Sequence, residues 1–221
     1  MSSYILNIET ATKNCSVALA KNGEVISFRE KAGAGYSHAE LLHVYIEDTL
    51  AVAGIHFKDL SAIAVSKGPG SYTGLRIGVS AAKGLCFALD IPLIAVDTLQ
   101  SLAKQVKTDA GIIVPMLDAR RMEVYSAVYD HHFNIIREVK AEIINENSFS
   151  EFISSPVYFV GDANHKVSTL LEKDNFIYLD DVLFPSAKEM CAASYLYYIS
   201  GTTVDVAQFE PYYLKDFLMN S

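Results

Sequence analysis

Residues 4–30 read YILNIETATKNCSVALAKNGEVISFRE. Three strand-like runs, at 4–8, 15–20 and 24–30, lie in this stretch, and Asn22-Gly23 supplies the positive backbone angles that a tight hairpin between the last two needs. The chain therefore opens as an antiparallel meander. Downstream, Ser37 and Glu40 form an S-x-x-E capping box ahead of Leu42, Tyr45, Ile46, Leu50 and Ala53, with Gly54 as a stop, which predicts an amphipathic helix over 37–53. A buried-type strand at 62–65, a helix over 72–89, a strand at 93–96 and a helix begun by Asp97 with Gln100 follow. The order is βββαβαβα.

The same order starts again after Gly111: strands at 112–117, 122–129 and 135–144, a short helix near 149, a strand at 157–160, a helix after Gly161, a strand at 176–179, and a helix capped by Ser186 and Glu189. The halves share pattern and negligible sequence. Two βββαβαβα lobes describe an α/β chain with the duplicated ribonuclease-H-like fold of the actin-like ATPases (ASKHA), an analogy of architecture and not of function. The expected lobes are residues 1–108 and 109–221, with the terminal FEPYYLKDFL closing back on the first.

Acidic residues outnumber basic ones 26 to 18, for a net charge of -8, and no Lys/Arg cluster breaks the pattern, so unaided nucleic-acid binding is not expected. Cys15, Cys86 and Cys191 are odd in number, far apart and include no CxxC, which argues against a disulfide framework or zinc knuckle and fits a reducing cytoplasm. No basic lead precedes the first apolar residues, and the uncharged stretch 190–204 is too short and polar to span a bilayer, so neither export nor a membrane is expected.

The most informative motif is SKGPGSYTGLRIG at 66–78, a glycine-rich turn after a strand that opens a helix. Unpaired N–H groups and the helix dipole favour an anion at such a start. Lys67, Gly68, Gly70, Ser71, Thr73 and Arg76 are the candidate contacts. The segment is neither standard phosphate loop, because Lys67 precedes the glycines and their spacing is GxGxxxG. The alternative is a tight turn whose glycines let another backbone pass. Gly74, Gly78 and Gly84 together cost the helix about 3 kcal/mol relative to alanine, a loss that packing has to offset. Gly74, Gly78 and Ala82 recur every four residues as a smooth groove for a closely approaching helix, from this chain or another.

Each half carries an acid after its first strand, Glu9 in NIETAT and Asp118 in MLDARR. The glycines that let a backbone approach a triphosphate are absent from both, so these read as relics or hairpin-stabilising acids. Asp118, Arg120, Arg121 and Glu123 read as ion pairs around a hairpin turn, with a cleft role as the alternative. The six histidines form no HxxxH or HExxH, which argues against a helical metal site.

Taken in order, NIETATKNCSVAL, YSHAELLHVYIEDTL, SKGPGSYTGLRIGVSAAKGL, DARRMEVYSAVY and PYYLK resemble the TsaB/YeaZ family along nearly the whole chain, although the match is loose between residues 131 and 185. Many relatives have Asp where Glu9 stands. The resemblance implies a non-catalytic, actin-like paralogue of the TsaD-type subunit, with which it pairs; with a TsaE-type ATPase the complex forms threonylcarbamoyladenosine beside the tRNA anticodon. It also implies that the partner surface is built from the first two helices, here carrying Leu42, Tyr45 and Ile46 on one and Gly74, Gly78 and Ala82 on the other. A homodimer is implied in the absence of the partner. No cofactor is implied for this chain alone, ATP acts only at the level of the complex, tRNA is met only through it, and no metal site carries over because the TsaD-type His-x-x-x-His pair has no counterpart. The competing functions are a sugar-kinase-type phosphotransferase and a metallopeptidase-like enzyme.

Overall fold

The computed structural model describes residues 2–33 and 38–214. Ten strands and five helices follow one another in the expected order. β1 (Tyr4–Glu9), β2 (Asn14–Lys21) and β3 (Glu24–Ala32) form the meander, with Asn22 and Gly23 both at positive φ in its hairpin. α1 (His38–Ala53), β4 (Ala62–Ser66), α2 (Tyr72–Leu89), β5 (Leu93–Val96) and α3 (Thr98–Ala103) follow. The sheet runs β3-β2-β1-β4-β5, with β1, β4 and β5 mutually parallel. Ser37 of the expected capping box lies outside the described residues. Ser71 caps α2 by accepting from Gly74 N, and Asp97 caps α3 by accepting from Leu99 N and Gln100 N through Oδ1.

The second sheet repeats the order as β10-β9-β6-β7-β8, from β6 (Ile112–Asp118), β7 (Glu123–Asp130), β8 (Ile135–Ile143), β9 (Val157–Val160) and β10 (Phe176–Tyr178). This is the duplicated ribonuclease-H-like fold. The helices of the second half are reduced to a 3-10 turn at Ser150–Phe152 and a four-residue α4 (Asn164–Val167). Aromatic rings supply bulk there instead: Phe159 meets Phe149, Phe176 and Tyr178 at centroid separations of 5.0 to 5.4 Å.

The chain forms two compact units, but not with the expected boundary at 108. One takes the described residues within Met1–Ser101 and Pro185–Tyr212; the other takes those within Leu102–Phe184 together with Tyr213 and Leu214, and the remainder of the expected returning segment lies outside the described residues. The return to the first unit thus begins at Pro185 and brings the whole of α5 (Ala187–Ile199) with it. The reason is visible in the first sheet, which is apolar on both faces. Leu6, Ile8, Val17, Leu19, Ile63 and Val65 pack against α1 and α2, while Ile5, Ala18, Ala20, Ala62 and Ala64 line the other face against Ala187, Met190 and Cys191 of α5. A face paved with alanines needs a helix laid close upon it to exclude water, and α5 is that helix. Among the described residues no helix is long and apolar enough to cross a membrane.

Candidate functional site

The glycine-rich turn lies where β4 hands over to α2, at the carboxyl end of the parallel strands. Here the chain between β1 and β2 crosses α2 at close range. A Cβ on Gly74 would collide with the carbonyl oxygen of Thr10, one on Gly78 with Thr10 Oγ1, and one on Gly70 with the carbonyl of Ala11. Two hydrogen bonds lock the crossing: Thr10 Oγ1 donates to Gly74 O at 2.8 Å, and Ser71 N donates to Ala11 O at 2.7 Å. The glycines therefore serve close backbone passage, and what passes is this chain's own Thr10-Ala11.

Four of the candidate anion contacts have partners within the first unit, Ser71 through its N–H to Ala11 O and three others besides. Gly68 N donates to Thr98 Oγ1 at 3.1 Å, Lys67 Nζ stands 3.6 Å from Asp97 Oδ2, and the Arg76 guanidinium lies over the Tyr72 ring at 4.0 Å. Thr73 is exposed. Two carboxyl groups share the same strand ends. Glu9 is fully buried; its Oε1 accepts from Ala11 N at 2.6 Å and from Ser66 Oγ at 3.0 Å, while Oε2 has no partner among the described residues. Burial pushes the Glu9 carboxyl up to about 7, with the charge of Asp97 adding to the rise and the Ala11 and Ser66 bonds opposing it. Burial also raises Asp97, against the pull of the Lys67 ammonium. Glu9 is thus buried beside the segment, Thr10-Ala11, that crosses α2.

The proposed partner residues are corrected by burial. Leu42, Ile46, Gly74, Gly78 and Ala82 are buried within the first unit, and Tyr45 is half-buried against the same core. The core stripe of α2 is Leu75, Val79, Ala82 and Cys86, and the groove of Gly74 and Gly78 flanks it against Thr10. The opposite face of α2 is the open one. It presents Thr73, Ser80, Gly84 and Phe87, with Phe87 86% exposed and nothing within 4 Å of a Cβ built on Gly84. On α1 the exposed large apolar residues are Val44 and Val52, at 50% and 63%. The i, i+4, i+7 spacing of the core stripe was a sufficient signal that Ser80, Gly84 and Phe87 lie opposite it.

In the second unit, Asp118 at the end of β6 does not pair with Arg120 or Arg121 as read from the sequence. Its carboxylate takes the ammonium of Lys166, from α4, and the backbone N–H of Arg120. Burial raises Asp118, but the Lys166 and Arg120 hydrogen bonds outweigh it and hold the carboxyl below its usual range. Among the described residues, no three His, Cys, Asp or Glu side chains gather so as to hold a metal ion.

Residues 32–210 match the family described as "TsaD: tRNA N6-adenosine threonylcarbamoyltransferase". The chain is similar to the "tRNA threonylcarbamoyladenosine biosynthesis protein TsaB" of Escherichia coli (strain K12), at 33% identity over 96% of this chain and 94% of that one. The protein of the same name from Haemophilus influenzae is 29% identical, over 96% of this chain and 93% of its own length. The solved structure of YeaZ from Pseudomonas aeruginosa superposes with a TM-score of 0.84 at 27% identity, covering 96% of this chain and all of that one. With its fold, its glycine-rich turn and its full-length likeness to these proteins, the chain belongs to the TsaB family of tRNA threonylcarbamoyladenosine biosynthesis proteins.

Proposed function

We propose that this chain is a non-catalytic scaffold subunit of the assembly that forms N6-threonylcarbamoyladenosine next to the tRNA anticodon, pairing with a TsaD-type catalytic subunit through the outer faces of α1 and α2. The observation that carries this is the exposed strip of Ser80, Gly84 and Phe87. A phenyl ring left 86% exposed beside an uncovered glycine is a knob with an adjacent notch, suited to another helix at close range. Alone, the chain uses the same face to pair with a second copy. A TsaE-type ATPase and the tRNA join through the assembly, in the cytoplasm, and ATP acts there and not on this chain by itself.

The non-catalytic reading is supported by the state of the two acidic turns. Glu9 lies sealed under Thr10-Ala11, and Asp118 is held by Lys166. A sugar-kinase-type activity would need both turns open to phosphate, and a metallopeptidase-like activity would need clustered ligands. The test is Phe87→Ala, measured by calorimetric titration with the TsaD-type partner. Removing a central aromatic anchor from an interface costs about 2 kcal/mol, which is about a 30-fold loss of affinity. An unchanged melting temperature should accompany it. Unaltered binding to the partner would refute this face as the interface.

A further inference from the structure

The turn between β6 and β7 is a feature that the scaffold role does not use. Arg120 and Arg121 both take positive φ, 71° and 50°. For residues with a Cβ that conformation costs about 1 kcal/mol or more each, and Gly or Asn would adopt it at lower cost. The turn is also held from below. Lys166 Nζ donates to the Asp118 carboxylate, to Arg121 O at 2.9 Å and to Glu123 O at 2.6 Å; Asp118 N donates to Asp162 Oδ1, and Ile144 N to Met122 O, both at 2.9 Å. The chain thus spends an almost buried ammonium on fixing a hairpin whose tip is two arginines in a conformation that arginine disfavours.

The five arginines of the chain divide cleanly. Arg29 pairs with Asp48, Arg76 lies over Tyr72, and Arg137 pairs with Glu142 and Glu151. Arg120 and Arg121 are exposed, and neither guanidinium has an ion pair or a ring contact among the described residues. Of the neighbouring acids, Asp118 is engaged by Lys166, and Asp162 accepts from the backbone N–H of Asp118. Two planar forks of donors remain, on consecutive exposed residues of a protein whose net charge is -8.

We propose that the β6–β7 turn is an RNA-backbone contact, in which Arg120 and Arg121 grip phosphodiester oxygens of the substrate tRNA once the assembly has brought it near. Guanidinium matches phosphate oxygens in bidentate fashion, which explains arginine where lysine would supply only charge. A projecting, exposed tip suits the backbone of a long polyanion, whereas a free nucleotide is held in a concave site. Two contacts on an acidic chain add register and affinity to an RNA held mainly by others. This inference rests on the tRNA-modifying assembly proposed above.

The experiment compares wild type with R120A/R121A and R120K/R121K, each assembled with the TsaD-type partner, and measures tRNA affinity from 50 to 200 mM salt. Loss of two phosphate contacts should weaken binding about tenfold or more at fixed salt and make the log–log salt dependence shallower by about 1.5. The lysine variant should keep the slope and lose part of the affinity. Unchanged affinity and slope in an intact assembly overturn the proposal. So does an alanine variant that fails to join the partner, which would make the turn a protein contact, or one that loses ATP binding and keeps tRNA. A wild-type chain that does not assemble with the partner refutes the scaffold reading instead. The RNA contact is then read on the chain alone at low ionic strength, with the same two outcomes.

Discussion

Glu9→Gln isolates the least ordinary electrostatic feature of the first unit. In the folded chain the Glu9 carboxyl is raised from 4.5 to about 7, so the native state holds its proton more tightly than the unfolded chain does. Below pH 4.5 both states are protonated and the group contributes nothing. Between 4.5 and about 7 the unfolded chain releases the proton while the native state retains it, and stability falls as pH rises. Above about 7 the full penalty stands, which for this shift is about 3 kcal/mol. Glutamine keeps an oxygen for Ala11 N and Ser66 Oγ and cannot ionise. Its amide N–H groups would sit where Oε2 has no partner, at a cost of about 1 to 3 kcal/mol that does not vary with pH. The variant should therefore be equal to or less stable than wild type at pH 5, gain on it as pH rises to about 7, and keep that gain to pH 8. Asp97 and Glu189, also raised by burial, act in the same direction as Glu9, and His38, lowered by burial, acts in the opposite one. The difference between wild type and variant is accordingly the quantity to follow. Urea unfolding followed by circular dichroism serves, since the chain has no tryptophan to report by fluorescence. A difference that stays flat from pH 5 to pH 8 would refute the buried, protonated carboxyl.

Two further outcomes concern α2. Gly74→Ala places a methyl against the Thr10 carbonyl and should destabilise by about 1 to 3 kcal/mol, whereas Gly84→Ala meets open space and should stabilise by about 0.5 to 1 kcal/mol; melting temperatures that move together would show that the two faces are not distinct. Ala82→Glu buries an unpaired carboxylate in the first core and should lower the melting temperature sharply, so a stably folded variant would contradict the inward orientation of that residue.

What the sequence determined by itself was local and repetitive. Asn22-Gly23 needs positive φ and so marked the first hairpin; Asp97 has a side-chain oxygen suited to orphan helix N–H groups and so marked the start of α3. Short apolar runs gave the strands, and the recurrence of their order gave the duplication, because both are written in consecutive positions. The tertiary structure decided whatever depends on which surfaces meet. Gly74 and Gly78 read as a groove from sequence, but only the crossing of Thr10, more than 60 residues earlier, shows that the groove is filled from within and that Gly84 and Phe87 face out. The ion pair of Asp118 with Lys166 spans 48 residues and outcompetes the arginines beside it in sequence, because the positive φ at Arg120 and Arg121 sits at the exposed tip while Lys166 lies beneath. α5 closes the first unit and not the second for a reason no local pattern carries: the alanine-lined face of the first sheet has to be covered, and a helix distant in sequence is the element that reaches it.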